Sequence, residues 1–257
     1  LAPRSGLIVN SLKDSKLYQR AVPWIIRKAD RVICQSEFWQ NFYQNLGGGP
    51  TEKYPVIYNW LDPTSYNQIG EGREYKTENP MKVLFLGWVN VNKGIFDLLE
   101  AFKSLKDKDI QLIVGGNGTH FEEAKTFVAE NGLEKIVDLR SWILGDAKME
   151  ILAEADVFVL PSYLEGYPNA LLEGMVSGLC CIATRITSVP DLIDHGVNGW
   201  IVNPGDSNGL AEQLVHLYEN PEARINSAKA GRAKVLENNR LDKATTKLQS
   251  VFSDLTK

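Results

Sequence analysis

Two carboxylates eight positions apart, Glu165 and Glu173, frame the stretch of this sequence best equipped for chemistry. Between them Gly166, Tyr167, Pro168 and Asn169 form a turn-prone run that opens into the apolar segment beginning at Ala170. The apolar run Ala155 to Leu160 in front of it reads as a buried strand. A strand that ends in a tight turn and passes into a helix N-terminus makes an anion site, because unpaired backbone N–H groups and the helix dipole converge there. A carboxylate has two acceptor oxygens and no donor, which suits it to receive hydroxyl groups. Two acids beside an anion site therefore suit a ligand with both phosphates and hydroxyls, and a nucleotide sugar has both.

The other candidates fit the same ligand. Lys93 precedes Gly94 in a loop between a strand end and a helix, where a cation can neutralise the charge of a departing diphosphate. Gly87 keeps that loop close to the ligand, and Gly166 permits close backbone approach. Pro168 has no N–H, but its fixed φ suits the start of a helix. Amides drawn from Gly166, Tyr167, Asn169 and Ala170, with Leu171 completing the turn, are expected to contact the diphosphate or the sugar. Gly115-Gly116-Asn117-Gly118 reads as a tight strand-to-helix turn rather than a phosphate loop. His120, His195 and His216 are scattered without ligand spacing, an Asp-x-Asp tripeptide is read as absent, in keeping with metal-independent transfer, and no cofactor or metal site is expected.

Composition narrows the class. The 257 residues are long for one domain and comfortable for two, and a hydrophobic content of 44% supports a sizeable core. A net charge of −4 argues against a nucleic-acid binder that relies on bulk charge. Of three cysteines, Cys180 and Cys181 are adjacent, which suits neither a disulfide framework nor a zinc site; buried thiols in a reducing, cytoplasmic setting are expected. No apolar run approaches the roughly 18 residues of a spanning helix. The leading Leu-Ala-Pro-Arg-Ser-Gly has no signal-peptide pattern and no initiator Met, so the sequence reads as a fragment or as carrying added residues.

From Met81 onward the pattern alternates. Strands are expected at 83–86, 110–114, 136–139, 157–160, 180–183 and 200–202, and helices at 95–105, 121–131, 148–154 and 170–176, before a long helical tail. Such alternation predicts an α/β fold, a Rossmann-like parallel sheet with helices on both faces, and ligands at the strands' carboxyl ends. Earlier, residues 11–29 read as a helix interrupted by Pro23, 31–34 and 55–58 as strands, and 37–46 as a helix between them, the remnant of a partial second α/β domain. Residues 59–80 are polar and rich in turn formers and read as a linker.

Four blocks in order carry a family resemblance. They are Ala29-Asp30-Arg31-Val32-Ile33-Cys34-Gln35-Ser36-Glu37; Val56-Ile57-Tyr58-Asn59; Leu86-Gly87-Trp88 with Lys93-Gly94; and the Glu165–Glu173 block continued by Val189-Pro190-Asp191 and Asn198-Gly199. Over residues 29–209 the chain resembles the retaining glycosyltransferases of family 4, which have the two-domain GT-B architecture. The resemblance implies an N-terminal acceptor-domain remnant at 1–60, a linker at 61–80, a nucleotide-sugar-binding domain at 81–210 and closing helices at 211–257. It implies that Glu173 holds the ribose hydroxyls, that Glu165 meets the donor sugar near the reacting carbon, and that the loop 140–143, with Trp142, meets the base. Glu165 and Lys93 would be catalytic.

The implied reaction is metal-independent transfer of a sugar from a UDP- or GDP-sugar to a glycan or lipid-linked acceptor, as in polysaccharide biosynthesis. One departure stands out: Trp88 occupies the place where the family commonly has Arg, leaving Lys93 alone, another cation as substitute, or weak donor binding. Trp88 itself packs on the donor, on the acceptor or at an interface. The alternatives are a nucleotide-sugar-binding module that needs a partner chain or the rest of the acceptor domain, and a nucleotide-sugar epimerase of the same fold. The basic, aromatic-bearing stretch 12–31 reads as an ordinary amphipathic helix on a sheet, with peripheral contact at the inner face of an anionic membrane as its alternative.

Overall fold

The computed structural model describes residues 1–3, 8–77 and 80–256. Part of the leading segment, two residues of the expected linker and the last residue of the expected tail lie outside them. Six strands form one sheet: β1 (Met81–Leu86), β2 (Ile110–Gly115), β3 (Val137–Arg140), β4 (Val157–Leu160), β5 (Cys180–Thr184) and β6 (Trp200–Val202). Their order is β3-β2-β1-β4-β5-β6, and every pairing is parallel. Buried β1 reads Met-Lys-Val-Leu-Phe-Leu, and its alternate residues feed opposite layers. Met81, Val83 and Phe85 enter one core with α5 (Ile95–Lys103), α6 (Phe121–Glu130) and α10 (Ser207–Glu219). Leu84 and Leu86 enter the other with α7 (Asp146–Glu154), α8 (Asn169–Val176) and α9 (Val189–Leu192). The order reverses between β1 and β4, which makes the carboxyl edge between these two strands the switch point where ligands bind in open α/β sheets.

Two glycines let those loops close up. Gly94 sits at φ +68°, and a Cβ there would lie 2.0 Å from the Pro161 carbonyl oxygen, so the loop after β1 rests on the turn after β4. Tyr163 N–H donates to the Asn92 carbonyl across the same seam at 2.8 Å. A Cβ on Gly116 would lie 1.8 Å from the Gly87 carbonyl oxygen. The glycine cluster after β2 is thus occupied by the neighbouring loop's backbone, as a tight turn is.

The first sixty residues hold α1 (Ile8–Asp14), α2 (Lys16–Lys28) and α3 (Glu37–Gly47) around a satellite core of Ile26, Val32, Cys34, Trp39, Tyr43 and Tyr54. The helix expected at 11–29 breaks at extended Ser15 and not at Pro23, which α2 carries inside it. Burial of Ile26 holds the helix across the bond that Pro23 cannot make. The two strands expected there shrink to a parallel bridge between Cys34 and Val56. Its bonds run from Cys34 N–H to the Pro55 carbonyl (2.9 Å) and from Ile57 N–H to the Cys34 carbonyl (2.8 Å), and Pro55 has no N–H to extend the ladder.

The expected linker contains a helix, α4 (Thr64–Glu71), whose Tyr66 is buried against α7 and α8. Beyond it Arg73 donates to the carbonyls of Leu152, Ala155 and Ser177, pinning the chain to the sheet domain before β1 begins. The tail forms α10, α11 (Pro221–Asn238) and α12 (Leu241–Leu255), with α11 lying on α8 and β5. All three cysteines are buried and free, and burial pushes the Cys34 and Cys180 thiols up to about 12. Among the described residues no helix is long and apolar enough to cross a membrane.

Candidate functional site

The turn after β4 delivers the first carboxylate. Glu165 is largely buried, and its Oε1 receives Lys93 Nζ at 2.6 Å and Ser162 Oγ at 2.8 Å. Lys93 reaches it from the loop after β1, where Asn90 Oδ1 accepts the Lys93 N–H at 3.0 Å and fixes the end of a short 3-10 turn. Two residues that are 72 positions apart in sequence thus form an ion pair across the switch point. Among the described residues Oε2 of Glu165 has no protein partner.

The second carboxylate lies one turn into α8. Oε1 of Glu173 receives Lys148 Nζ at 2.9 Å, from α7, and the Tyr66 hydroxyl at 3.0 Å, from α4. Burial, and then the adjacent Glu173 charge, pushes the Tyr66 phenol well above its ordinary range, so it stays a donor. Between the two acids α8 begins at Asn169 with no side-chain cap, which leaves its first amides as donors. Tyr167 and Leu171 are placed differently. The Tyr167 side chain turns into the interior and its hydroxyl accepts from Asn239 Nδ2 at 2.8 Å. Leu171 is fully buried, and its N–H is engaged by the Pro168 carbonyl at 3.1 Å. Amphipathic packing of α8 buries Leu171, and the Asn239 amide holds the Tyr167 hydroxyl inside, so neither side chain is available to a ligand, and Leu171 contributes no free amide either.

Several groups brace the turn from behind. The Gly166 carbonyl accepts from Trp39 Nε1 and, at 3.0 Å, from Ser188 Oγ. Asn169 Oδ1 accepts from Asn59 Nδ2 at 3.0 Å, Asn59 Oδ1 accepts from Gln35 Nε2 at 2.9 Å, and the Asn59 carbonyl accepts from Asn239 Nδ2 at 2.8 Å. Phe38 N–H donates to Asp191 Oδ2 at 3.2 Å. On the other side, Gly87 N–H donates to the Gly115 carbonyl at 3.1 Å, and the exposed rings of Trp88 and Trp142 meet edge to face, 5.1 Å between centroids. The loop after β3 therefore approaches the loop after β1 through these two indoles.

Sequence reasoning did not single out Ser162, Trp39, Lys148 or Tyr66. Ser162 lies three residues before Glu165 in the same turn and was open to detection. The others reach the site from distant elements with no local signal. The three histidines stay apart from it: His195 and His216 flank Trp200, and His120 pairs with Thr119. An Asp-x-Asp tripeptide, read as absent, is in fact present as Asp107-Lys108-Asp109, but it sits just ahead of β2, at the edge of the sheet opposite the two acids. Among the described residues no three His, Cys, Asp or Glu side chains gather as a metal cluster.

Comparison with known proteins turns this geometry into a family. The glycosyl transferases group 1 family matches residues 71–234, well over half of the chain. The chain belongs to that family. It is 28% identical over 261 residues to the amylovoran biosynthesis glycosyltransferase AmsK of Erwinia amylovora, covering 90% of this chain and 63% of that protein. It is 28% identical to N-acetyl-alpha-D-glucosaminyl L-malate synthase of Bacillus anthracis, covering 80% of this chain and 55% of that protein. Anabaena HepE, solved in complex with UDP, superposes with a TM-score of 0.85 at 22% identity, over 98% of this chain and 71% of that chain. The fold is thus the Rossmann-like sheet of GT-B glycosyltransferases. The chain spans between half and two-thirds of the length of these two curated relatives.

Proposed function

We propose that this chain binds a nucleotide-diphosphate sugar, UDP- or GDP-linked, and serves a retaining, metal-independent glycosyltransferase of family 4 acting on a glycan or lipid-linked acceptor. The observation that carries the reading is the Lys93–Glu165 pair at 2.6 Å, set beside the uncapped start of α8 at the sheet's switch point. That arrangement offers a cation and free amides to a diphosphate, with a carboxylate at the point where sugar hydroxyls would arrive. Lys93 and the amides of Asn169 and Ala170 would take up charge as the bond from the anomeric carbon to the diphosphate breaks, and the acceptor hydroxyl would then enter on the face the diphosphate leaves. Glu165 would orient the sugar and offset positive charge on its ring, and Glu173 would receive the ribose hydroxyls. On this reading residues 1–60 belong to the acceptor domain, 61–80 connect it, 81–210 bind the donor and 211–257 close the structure.

The acceptor side carries a subsidiary proposal. Leu17, Tyr18, Trp24 and Ile25 are exposed on α2 beside Lys16, Arg20, Arg27 and Lys28, a combination suited to peripheral contact with an anionic membrane facing the cytoplasm. Calorimetric titration with UDP-, GDP- and ADP-sugars, repeated on Glu173→Ala, tests the donor site. One of the donors should bind, the substitution should weaken it, and excess EDTA should change neither result. No binding by any donor, or an unchanged affinity in the variant, would overturn the assignment, and loss of binding with EDTA would overturn metal independence.

A further inference from the structure

Glu173 does not stand alone at its end of α8. Lys148 Nζ and the Tyr66 hydroxyl converge on the same carboxylate oxygen, at 2.9 and 3.0 Å, and Lys148 Nζ also lies 5.9 Å from the centre of the Tyr66 ring. The three side chains come from three elements: α4, α7 and α8. Tyr66 is almost fully buried, whereas Lys148 and Glu173 each keep about a quarter of their side-chain surface. An isolated glutamate on a helix turns among several rotamers, and ordering it on a ligand costs affinity. Here a charge-assisted bond and a buried phenol hold one oxygen, which fixes the plane of the carboxylate and leaves the other oxygen unpaired among the described residues.

We infer that Lys148 and Tyr66 are positioning residues for nucleotide recognition: they preset the Glu173 carboxylate so that its second oxygen receives the ribose hydroxyls. This rests on the donor-site reading of Glu173 above and adds to it two residues that act through that acid without touching the nucleotide. It also gives the segment ahead of the sheet a part in ligand binding. Tyr66 belongs to α4, between the first sixty residues and β1, so a shift of that helix would withdraw the hydroxyl from Glu173 and loosen the ribose contact.

The test compares each variant on two ligands, UDP and 2′,3′-dideoxy-UDP, and on the corresponding GDP pair. Lys148→Met should weaken the ribonucleotide about tenfold and Tyr66→Phe by roughly three- to tenfold, in line with removal of one bond to a charged group. Both penalties should disappear on the dideoxy analogue, as should that of Glu173→Ala. Tyr66→Phe keeps the ring and its packing, and thermal melting of each variant identifies any that fails to fold. Equal penalties on the two ligands would mean that Lys148 or Tyr66 acts on the phosphates or on stability, and would overturn the inference. An effect of Glu173→Ala confined to the ribonucleotide, with Lys148→Met and Tyr66→Phe unchanged on both ligands, would sink the positioning role alone. No binding of UDP or GDP to the unaltered protein would sink the donor-site reading and this inference with it.

Discussion

The two acids of the site are both paired with a lysine through a single oxygen, yet they are held in different ways. Glu165 is fixed from within its own turn by Ser162 and from the adjacent loop by Lys93, two supports at the switch point itself. Glu173 sits on a regular helix and takes its supports, Lys148 and Tyr66, from α7 and α4. The first arrangement is compact and follows from the strand order. The second depends on where a helix outside the sheet docks. Breaking the first pair should alter chemistry and phosphate binding, while breaking the second should alter recognition of the nucleoside.

The largest expected effect lies on the first pair. Lys93→Ala should lower turnover by about 100- to 1,000-fold, the range for losing one preorganised group on developing charge. It should weaken UDP or GDP and leave uridine or guanosine binding alone, and calorimetry on the four ligands checks this. Equal losses on nucleoside and diphosphate would erase the contrast between the two acids. Glu173→Ala should come next, weakening nucleoside and nucleotide by similar factors of about ten to a hundred, read in the same titrations. Gly94→Ala should cost about 1–3 kcal/mol of stability, since alanine resists φ +68° and its Cβ would press on the Pro161 carbonyl. Urea unfolding measures that loss, and the variant should also lose diphosphate affinity by displacing Lys93. Ser162→Ala should be smallest, removing one bond to Glu165 for at most about 1.5 kcal/mol. It should lower kcat a few-fold and leave KM unchanged in a transfer assay.

What the sequence disclosed follows the same division. The sheet was legible because parallel strands buried on both faces are short unbroken apolar runs, as in Val157–Leu160 and Cys180–Thr184, set between helical patterns. The Glu165–Glu173 turn was legible because its residues are contiguous. Helix α4 was not, since Thr-Ser-Tyr-Asn-Gln-Ile-Gly-Glu contains three turn formers and few apolar residues, and burial of Tyr66 is what holds it. The same is true of Lys148, an unremarkable lysine on a weakly amphipathic helix until α8 is laid beside it. The break at Ser15 instead of Pro23 shows local propensity yielding to packing of Ile26. Sequence motifs exposed the groups that share one turn; groups assembled from separate elements became visible only with the topology.

The Trp39 indole that grips the Gly166 carbonyl, and the amide relay from Gln35 through Asn59 to Asn169, carry a practical consequence for protein engineering. Grafting this sheet onto a foreign front half cannot be done by splicing at residue 80. A chimera cut there would inherit the Glu165–Glu173 turn while losing its buttress. The transplant must carry those three side chains across the seam, or the hybrid will present the right letters in a slack loop.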